Sequence, residues 1–411
     1  MPVSALCSRE ATGQLVLDCD HGCRVPKMYS KETAMDADNE PMGPRIIKIA
    51  FLAGNLAASI IFLLMFLFVG YRIGFSNLFD KLWKRVLIPS NKILYLPDNL
   101  LKELITLDAV VDNADNPTQQ LSHYTILVHQ DPEVGWALIP NAHISLYMLK
   151  ALNPLNFDPP VLALRSDAKI SDDLRSYINT QARLHYTYTV DGDGFRKTLP
   201  IVESQHKHKL LMVGDSVLFG EAVNDDSTMA SYLQKMVKES FRVVNAGVGG
   251  FSGEQALEMA KKAAKKSKYD ALIYVACQND FMIQQGIPYS DQAREVLKKF
   301  AAVKETFSGK VIVILVPYME YSIDDILQRG GWSREMVAET DRLRREMPTT
   351  AKENGFEFID GTDIMNDYMR QSGTIMSRFA LYVNDAHLSP LGNRLFAEKL
   401  YQSLQKLALL S

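Results

Sequence analysis

The second half of the chain predicts an α/β fold, a three-layer sandwich with a parallel sheet between two layers of helices. Three observations lead there. Apolar runs too short for helices recur at Leu210–Val213, Val243–Val244, Ala271–Ala276, Val311–Val316 and Phe356–Ile359. Helical stretches separate them, at Ser227–Lys238, Gly253–Lys265, Asp291–Phe307 and Ser333–Asn354. The loops that follow the strands are rich in Gly, Asn, Asp and Ser, at the sheet edge where ligands of parallel sheets bind.

The chain has 411 residues, 47% of them hydrophobic and 23% charged, the proportions of an ordinary globular protein. A net charge of −3 gives no basic footprint for a nucleic acid. Of four cysteines, Cys7, Cys19 and Cys23 lie near the N-terminus and Cys277 stands alone in the C-terminal part, which therefore holds no internal disulfide. The run Asp18 to Cys23 (DCDHGC) has two cysteines and a histidine, but no second cluster completes four zinc ligands. His206 and His208 also lack further ligands and read as surface residues. Neither a metal nor any other cofactor is expected.

Ile49 to Tyr71 carries no charged residue and is long enough to cross the hydrocarbon layer as a helix, so the chain is expected to meet a membrane through one helix. Asn55 and Ser59 within it can face a partner or the interface. Lys27, Lys31, Arg45 and Lys48 on one side are balanced by Arg72, Lys81, Lys84, Arg85 and Lys92 on the other, so charge does not decide the orientation. Ser76 to Ile88 reads as a short amphipathic helix, at the membrane surface or packed against protein.

The expected organisation is a tail over 1–48, the spanning helix over 49–71, a juxtamembrane connector over 72–120, a small β-containing segment over 121–206 and the α/β domain over 207–411. The connector closes with a polar run, Val111 to Gln120. In the β segment, alternation from Leu184 to Val190 followed by Asp-Gly-Asp-Gly is a strand-and-turn signal, and NPLNFDPP is loop. The lysine run Lys261 to Lys266 reads as the solvated face of a helix.

Four loops carry candidate chemistry: Gly214-Asp215-Ser216 after the first strand, Asn245 to Glu254 (NAGVGGFSGE) after the second, Cys277 to Asp280 (CQND) after the third, and Asn384 to Gly392 (NDAHLSPLG) before the last helix. Each alone has the composition of a turn. A serine hydroxyl needs a base to become a nucleophile, and His387 is the only histidine in these loops. Attack on a carbonyl places negative charge on oxygen, which needs preorganised donors.

In this order the four loops resemble the conserved blocks of the SGNH (GDSL) hydrolase superfamily, over residues 207 to 411. The resemblance implies Ser216 as nucleophile and His387 as base. It implies an oxyanion site made by the backbone N–H groups of Ser216 and Gly250 and the side-chain amide of Asn279. The sequence departs from the family twice. Where the family has an aspartate three residues before the histidine stands Asn384, with Asp385 two before, and either is a candidate to orient His387. Where the family has glycine at the start of the third block stands Cys277, expected as a small buried hydrophobe. A looser similarity, in GWALIPN (Gly135 to Asn141) and DGDGFR (Asp191 to Arg196), is to bacterial membrane-anchored members.

That likeness implies an outward-facing, periplasmic domain on a bacterial inner membrane, with 1–48 in the cytoplasm. It implies a small acyl ester, acetyl among them, on an envelope or extracellular carbohydrate as substrate, and envelope-assembly proteins as possible partners. Hydrolysis and transfer of the acyl group to a sugar hydroxyl share the acyl-enzyme and stay open. So do a non-catalytic assembly role and a lipid-directed activity.

Overall fold

The computed structural model describes residues 98–107, 110–112, 126–149, 161–202, 208–282, 286–318, 334–374, 380–383 and 387–410. The cysteine-rich tail, the candidate membrane span, the amphipathic stretch, NPLNFDPP, His206, Asn384 and Asp385 lie outside them. Among the described residues no helix is long and apolar enough to cross a membrane, and no group of His, Cys, Asp and Glu could hold a metal ion.

In chain order the first elements are α1 (Asp98–Thr106), β1 (Val110–Asp112), β2 (Val128–Asp131), β3 (Gly135–Leu138), β4 (His143–Leu149), β5 (Val161–Arg165), α2 (Asp172–Gln181) and β6 (Ala182–Thr189). The order continues with β7 (Lys209–Gly214), α3 (Ser216–Phe219), α4 (Met229–Val237), β8 (Arg242–Gly247), α5 (Gly253–Lys266), β9 (Ala271–Cys277), α6 (Tyr289–Ala301), β10 (Val311–Val316), α7 (Arg334–Glu353), β11 (Glu357–Asp360), α8 (Gly361–Ser372) and α9 (Pro390–Lys406).

Strands β7 to β11 form a five-stranded parallel sheet in the order β11-β10-β9-β7-β8. Every residue of β9 (ALIYVAC) and β10 (VIVILV) is buried, as expected of parallel strands covered on both faces. One face packs on α5, α6 and α7 through residues such as Leu257, Ala260, Leu297 and Leu343. The other packs on α4, α8 and α9 through Leu233, Met365, Phe396 and Leu400. The chain leaves β7 for β8 on one side and returns to β9 on the other. The switch point between β7 and β9 is where open α/β sheets bind ligands.

The helix expected over Asp291–Phe307 is two elements: α6 ends at Ala301 and a 3₁₀ turn covers Lys304–Phe307. The chain reverses there into β10 through positive φ at Ser308 and Gly309, which a continuous helix could not provide. The other helices keep their expected places within a few residues. Helix α5 starts with a reciprocal cap between Ser252 and Gln255, and α9 with a Ser389 cap and Pro390 in its first turn.

The upstream segment is more tightly integrated than its sequence implies. Strands β1, β5, β4 and β6 form an antiparallel sheet in that order, with Val111 paired to Leu162. The end of the expected connector is therefore a sheet strand, and Val111 and Asp112 are not linker. One face of this sheet packs on α1 and α2 through Leu104, Leu164, Leu174 and Ile178. Ile144, Leu146, Ala163 and Tyr188 join the same core as the parallel sheet. Ser90–Ser411 accordingly form one compact unit.

The lysine run of α5 is a solvated face in part: Lys265 and Lys266 are exposed, while Lys262 turns to the upstream hairpin. Lys262 pairs with buried Asp131, Lys265 with Glu133 (2.6 Å), and Gln255 Nε2 donates to Val134 O (3.0 Å). The acidic turn of the hairpin β2–β3 supplies both carboxylates, and it could not be assigned to these lysines from chain order alone.

Candidate active site

Strand β7 ends at Gly214, level with Gly247 of β8 and Val275 of β9. Asp215 caps the following turn of helix, its Oδ1 accepting from Val217 N at 2.9 Å. Ser216 is thereby the first helical residue, at the sheet's C-terminal edge, where its hydroxyl is half-exposed. From the far end of the chain, His387 reaches back so that Nε2 lies 2.9 Å from Ser216 Oγ. Its backbone is fixed by Val383 N donating to His387 O (2.9 Å) and Ser389 N to Leu381 O (2.9 Å). The two candidate orienters, Asn384 and Asp385, fall outside the described residues.

Asn279 stands in a 3₁₀ turn directly after β9. Its Nδ2 donates to Asp215 Oδ2 at 2.9 Å. An amide NH₂ has two hydrogens, so this bond fixes the side chain and leaves one hydrogen for an oxyanion. The turn is itself anchored from below. Asp280 Oδ2 accepts from Tyr274 Oη at 2.6 Å and from Cys277 N at 3.3 Å. Burial pushes the Asp280 carboxyl well above the usual carboxylate range, reinforced by the negative charge of Asp215 and opposed by the Tyr274 bond. Burial also raises Asp215, against hydrogen bonds from Asn279 and Val217 and the charge of His387. Cys277 is fully buried and its thiol is pushed up by burial, so it fills space and is no nucleophile.

Gly250 is exposed with φ +74, a conformation L side chains rarely adopt. A Cβ there would meet only Trp136 Cζ2, at 3.6 Å, so backbone conformation and not crowding requires glycine. The loop lies over the end of β7, Val248 N donating to Gly214 O at 3.2 Å. The third and fourth blocks thus meet the first at the switch point, with the second beside them.

The domain is a three-layer α/β sandwich with Ser216, Asn279 and His387 gathered at the C-terminal edge of its parallel sheet. No family model matches the sequence, and no curated protein matches it. Solved structures similar to it include a lipolytic protein of the G-D-S-L family from Veillonella parvula DSM 2008, at 18% identity and a TM-score of 0.37, covering 48% of this chain and 98% of that one. An acetyl xylan esterase from Geobacillus stearothermophilus is similar at 18% identity and a TM-score of 0.38, over 48% of this chain and 94% of that one. A carbohydrate acetylesterase family member from Sinorhizobium meliloti is similar at 13% identity and a TM-score of 0.37, over 49% and 98%.

Two residues beside this site were not singled out from the sequence. Glu221 Oε2 lies 3.1 Å from His387 Nε2, the same nitrogen that meets Ser216. Trp136, from the upstream hairpin, donates Nε1–H to Gly249 O at 3.1 Å and packs edge-on against Phe251. Glu221 sits five residues after the serine, in a stretch with no motif. Trp136 lies far upstream in the looser GWALIPN stretch, where only folding reveals its neighbour.

Proposed function

We propose that the chain is a membrane-anchored serine esterase that removes a small acyl group, such as acetyl, from an envelope or extracellular carbohydrate. The contact of Ser216 Oγ with His387 Nε2 at 2.9 Å carries this reading. It is a nucleophile with its base in hydrogen-bond reach, at the switch point of a parallel sheet.

His387 takes the Ser216 proton as Oγ attacks the acyl carbon. The tetrahedral oxyanion is held by the N–H groups of Ser216 and Gly250 and the amide of Asn279. Collapse breaks the bond to the alcohol oxygen, and the proton on Nε2 leaves with the alcohol. Water then attacks the acyl-serine, and His387 accepts and returns a proton to free Ser216. A donor of this kind contributes on the order of 3 kcal/mol to the transition state. The half-buried indole of Trp136 beside Gly250 supports a sugar ring as the alcohol, since an aromatic wall with a few polar groups suits an amphipathic ring. The span Ile49 to Tyr71 supports the anchor.

The test is p-nitrophenyl acetate turnover and fluorophosphonate labelling of the purified chain and of Ser216→Ala. Both signals are expected in the parent and neither in the variant. A well-folded parent that takes no label would overturn the esterase reading.

A further inference from the structure

We infer that Glu221 is the charge partner of the His387 imidazolium, held in place by the upstream segment. This rests on His387 acting as the base toward Ser216. The nitrogen that receives the serine proton stands 2.9 Å from Ser216 Oγ and 3.1 Å from Glu221 Oε2. Once the proton moves from Oγ to Nε2, the new N–H donates to a carboxylate already in position. The imidazolium then gains a charge-assisted hydrogen bond that an imidazole accepting from Ser216 at Nε2 cannot make. Glu221 thus favours the transition state over the resting state, which is the condition for accelerating the step. No atom is gained or lost beyond the proton transfer itself.

The turn that carries Glu221 is built for this. Helix α3 stops after one turn at Gly220, φ +83, where a Cβ would lie 2.6 Å from Thr228 Cγ2. Two residues on, Ala222 holds φ +58, a conformation alanine adopts only when its surroundings impose it. Buried Tyr188 of β6 imposes it, its Oη accepting from Ala222 N at 2.7 Å. Arg196 Nη2 donates to Val223 O at 3.1 Å, and Thr187 N to Asn224 Oδ1 at 2.8 Å. Between these fixed points Glu221 has little freedom, and its side chain is 17% exposed. A solvated surface glutamate would not need three anchors from the upstream segment.

Among the described residues, charged and titratable groups approach the pair from the end of β7 and from β6. Asp215, from the end of β7, interacts with both Glu221 and His387. Tyr188 faces Glu221 from β6, with Tyr186 and Arg196 behind it, and its hydroxyl is pushed up by burial first and by the Glu221 charge second. The Arg196 charge is met by Asp225 at 2.9 Å.

The experiment is kcat/KM for p-nitrophenyl acetate against pH in the full chain and in Glu221→Gln. A neighbouring carboxylate favours charged imidazole, so its removal should move the acid limb to lower pH by about 1 to 3 units. The plateau should fall at least about tenfold, within the range of lost acid–base assistance. Glu221→Asp should restore part of both, and Tyr188→Phe should shift the limb the same way by less. An unmoved limb in folded Glu221→Gln, or a plateau equal to or above the parent's, would overturn the inference. NMR titration of ring-labelled histidine, assigned with His387→Ala, reads the same contact without turnover. A His387 midpoint unchanged by Glu221→Gln sinks it even if the esterase reading has already failed for lack of Ser216-dependent activity.

Discussion

Asp280 is a fully buried carboxyl directly after Asn279, and the environment that holds the Asn279 amide also disfavours the charge on Asp280. Its folded pKa lies above its unfolded value. Its stabilising contribution is therefore complete below the ordinary carboxylate pKa of about 4 and is lost as pH rises through the folded value. Asp280→Asn keeps an acceptor for Tyr274 and Cys277 and carries no charge. We expect the parent to lose stability relative to this variant as pH rises from about 4, read as the difference in Tm across a pH series. Parallel curves for the two proteins would contradict it. The second half of CQND, an Asn and an Asp at a strand end, was visible as turn chemistry in the sequence. That the Asp faces inward onto Tyr274, six residues earlier in the preceding strand, was not. Period-two alternation puts Tyr274 on one face of the sheet, but nothing local says that face is closed above it.

At the scale of elements, the turn after DGDG does more than join two sheets. Arg196 is fully buried: its Nε donates to Asp225 Oδ1 at 2.9 Å, and its guanidinium lies 4.2 Å from the Tyr188 ring centroid and 4.5 Å from that of Phe219. Its backbone N–H donates to Asn245 O at 3.0 Å, beside the second block. Arg196→Ala leaves Asp225 as an uncompensated buried charge and should destabilise the chain by about 3 to 5 kcal/mol, measured by urea unfolding. A loss under about 1 kcal/mol would place Arg196 among ordinary surface ion pairs. The strands and helices themselves were legible because short apolar runs and amphipathic stretches alternate cleanly. The role of Arg196 was not, since a charged residue in a Gly-rich turn has the composition of an exposed loop. Lys262 in the lysine run of α5 was hidden for the same reason: charge predicts solvent until a partner with opposite charge, here Asp131, draws it in.

For the molecule as a whole, the apparent boundary near residue 207 does not separate two cores. Leu211, Val213 and Val244 of the parallel sheet share one cluster with Leu138, Ile144 and Tyr188 of the upstream segment. A fragment starting at residue 207 would expose this apolar surface and lose Trp136, Tyr188 and Arg196 from around the site. It should aggregate or fold without cooperativity, whereas a fragment starting at Ser90 should unfold in a single cooperative transition. Circular dichroism melts of the two fragments decide this. A cooperative melt of the shorter one would show that the upstream sheet is dispensable for folding.

The order of strands and helices and the four loops at the strand ends were legible in local sequence, whereas the pairing of Ser216 with His387 came only from the resemblance of the four loops to a known family. The elements and loops rest on periodicity, turn chemistry or a motif within a few residues. Tertiary structure alone decided that Glu221 meets His387, which aromatic ring stands beside Gly250, and that the upstream sheet is part of the same core. Those contacts join residues distant along the chain, and their energies come from packing and charge pairing across space, which no local pattern encodes.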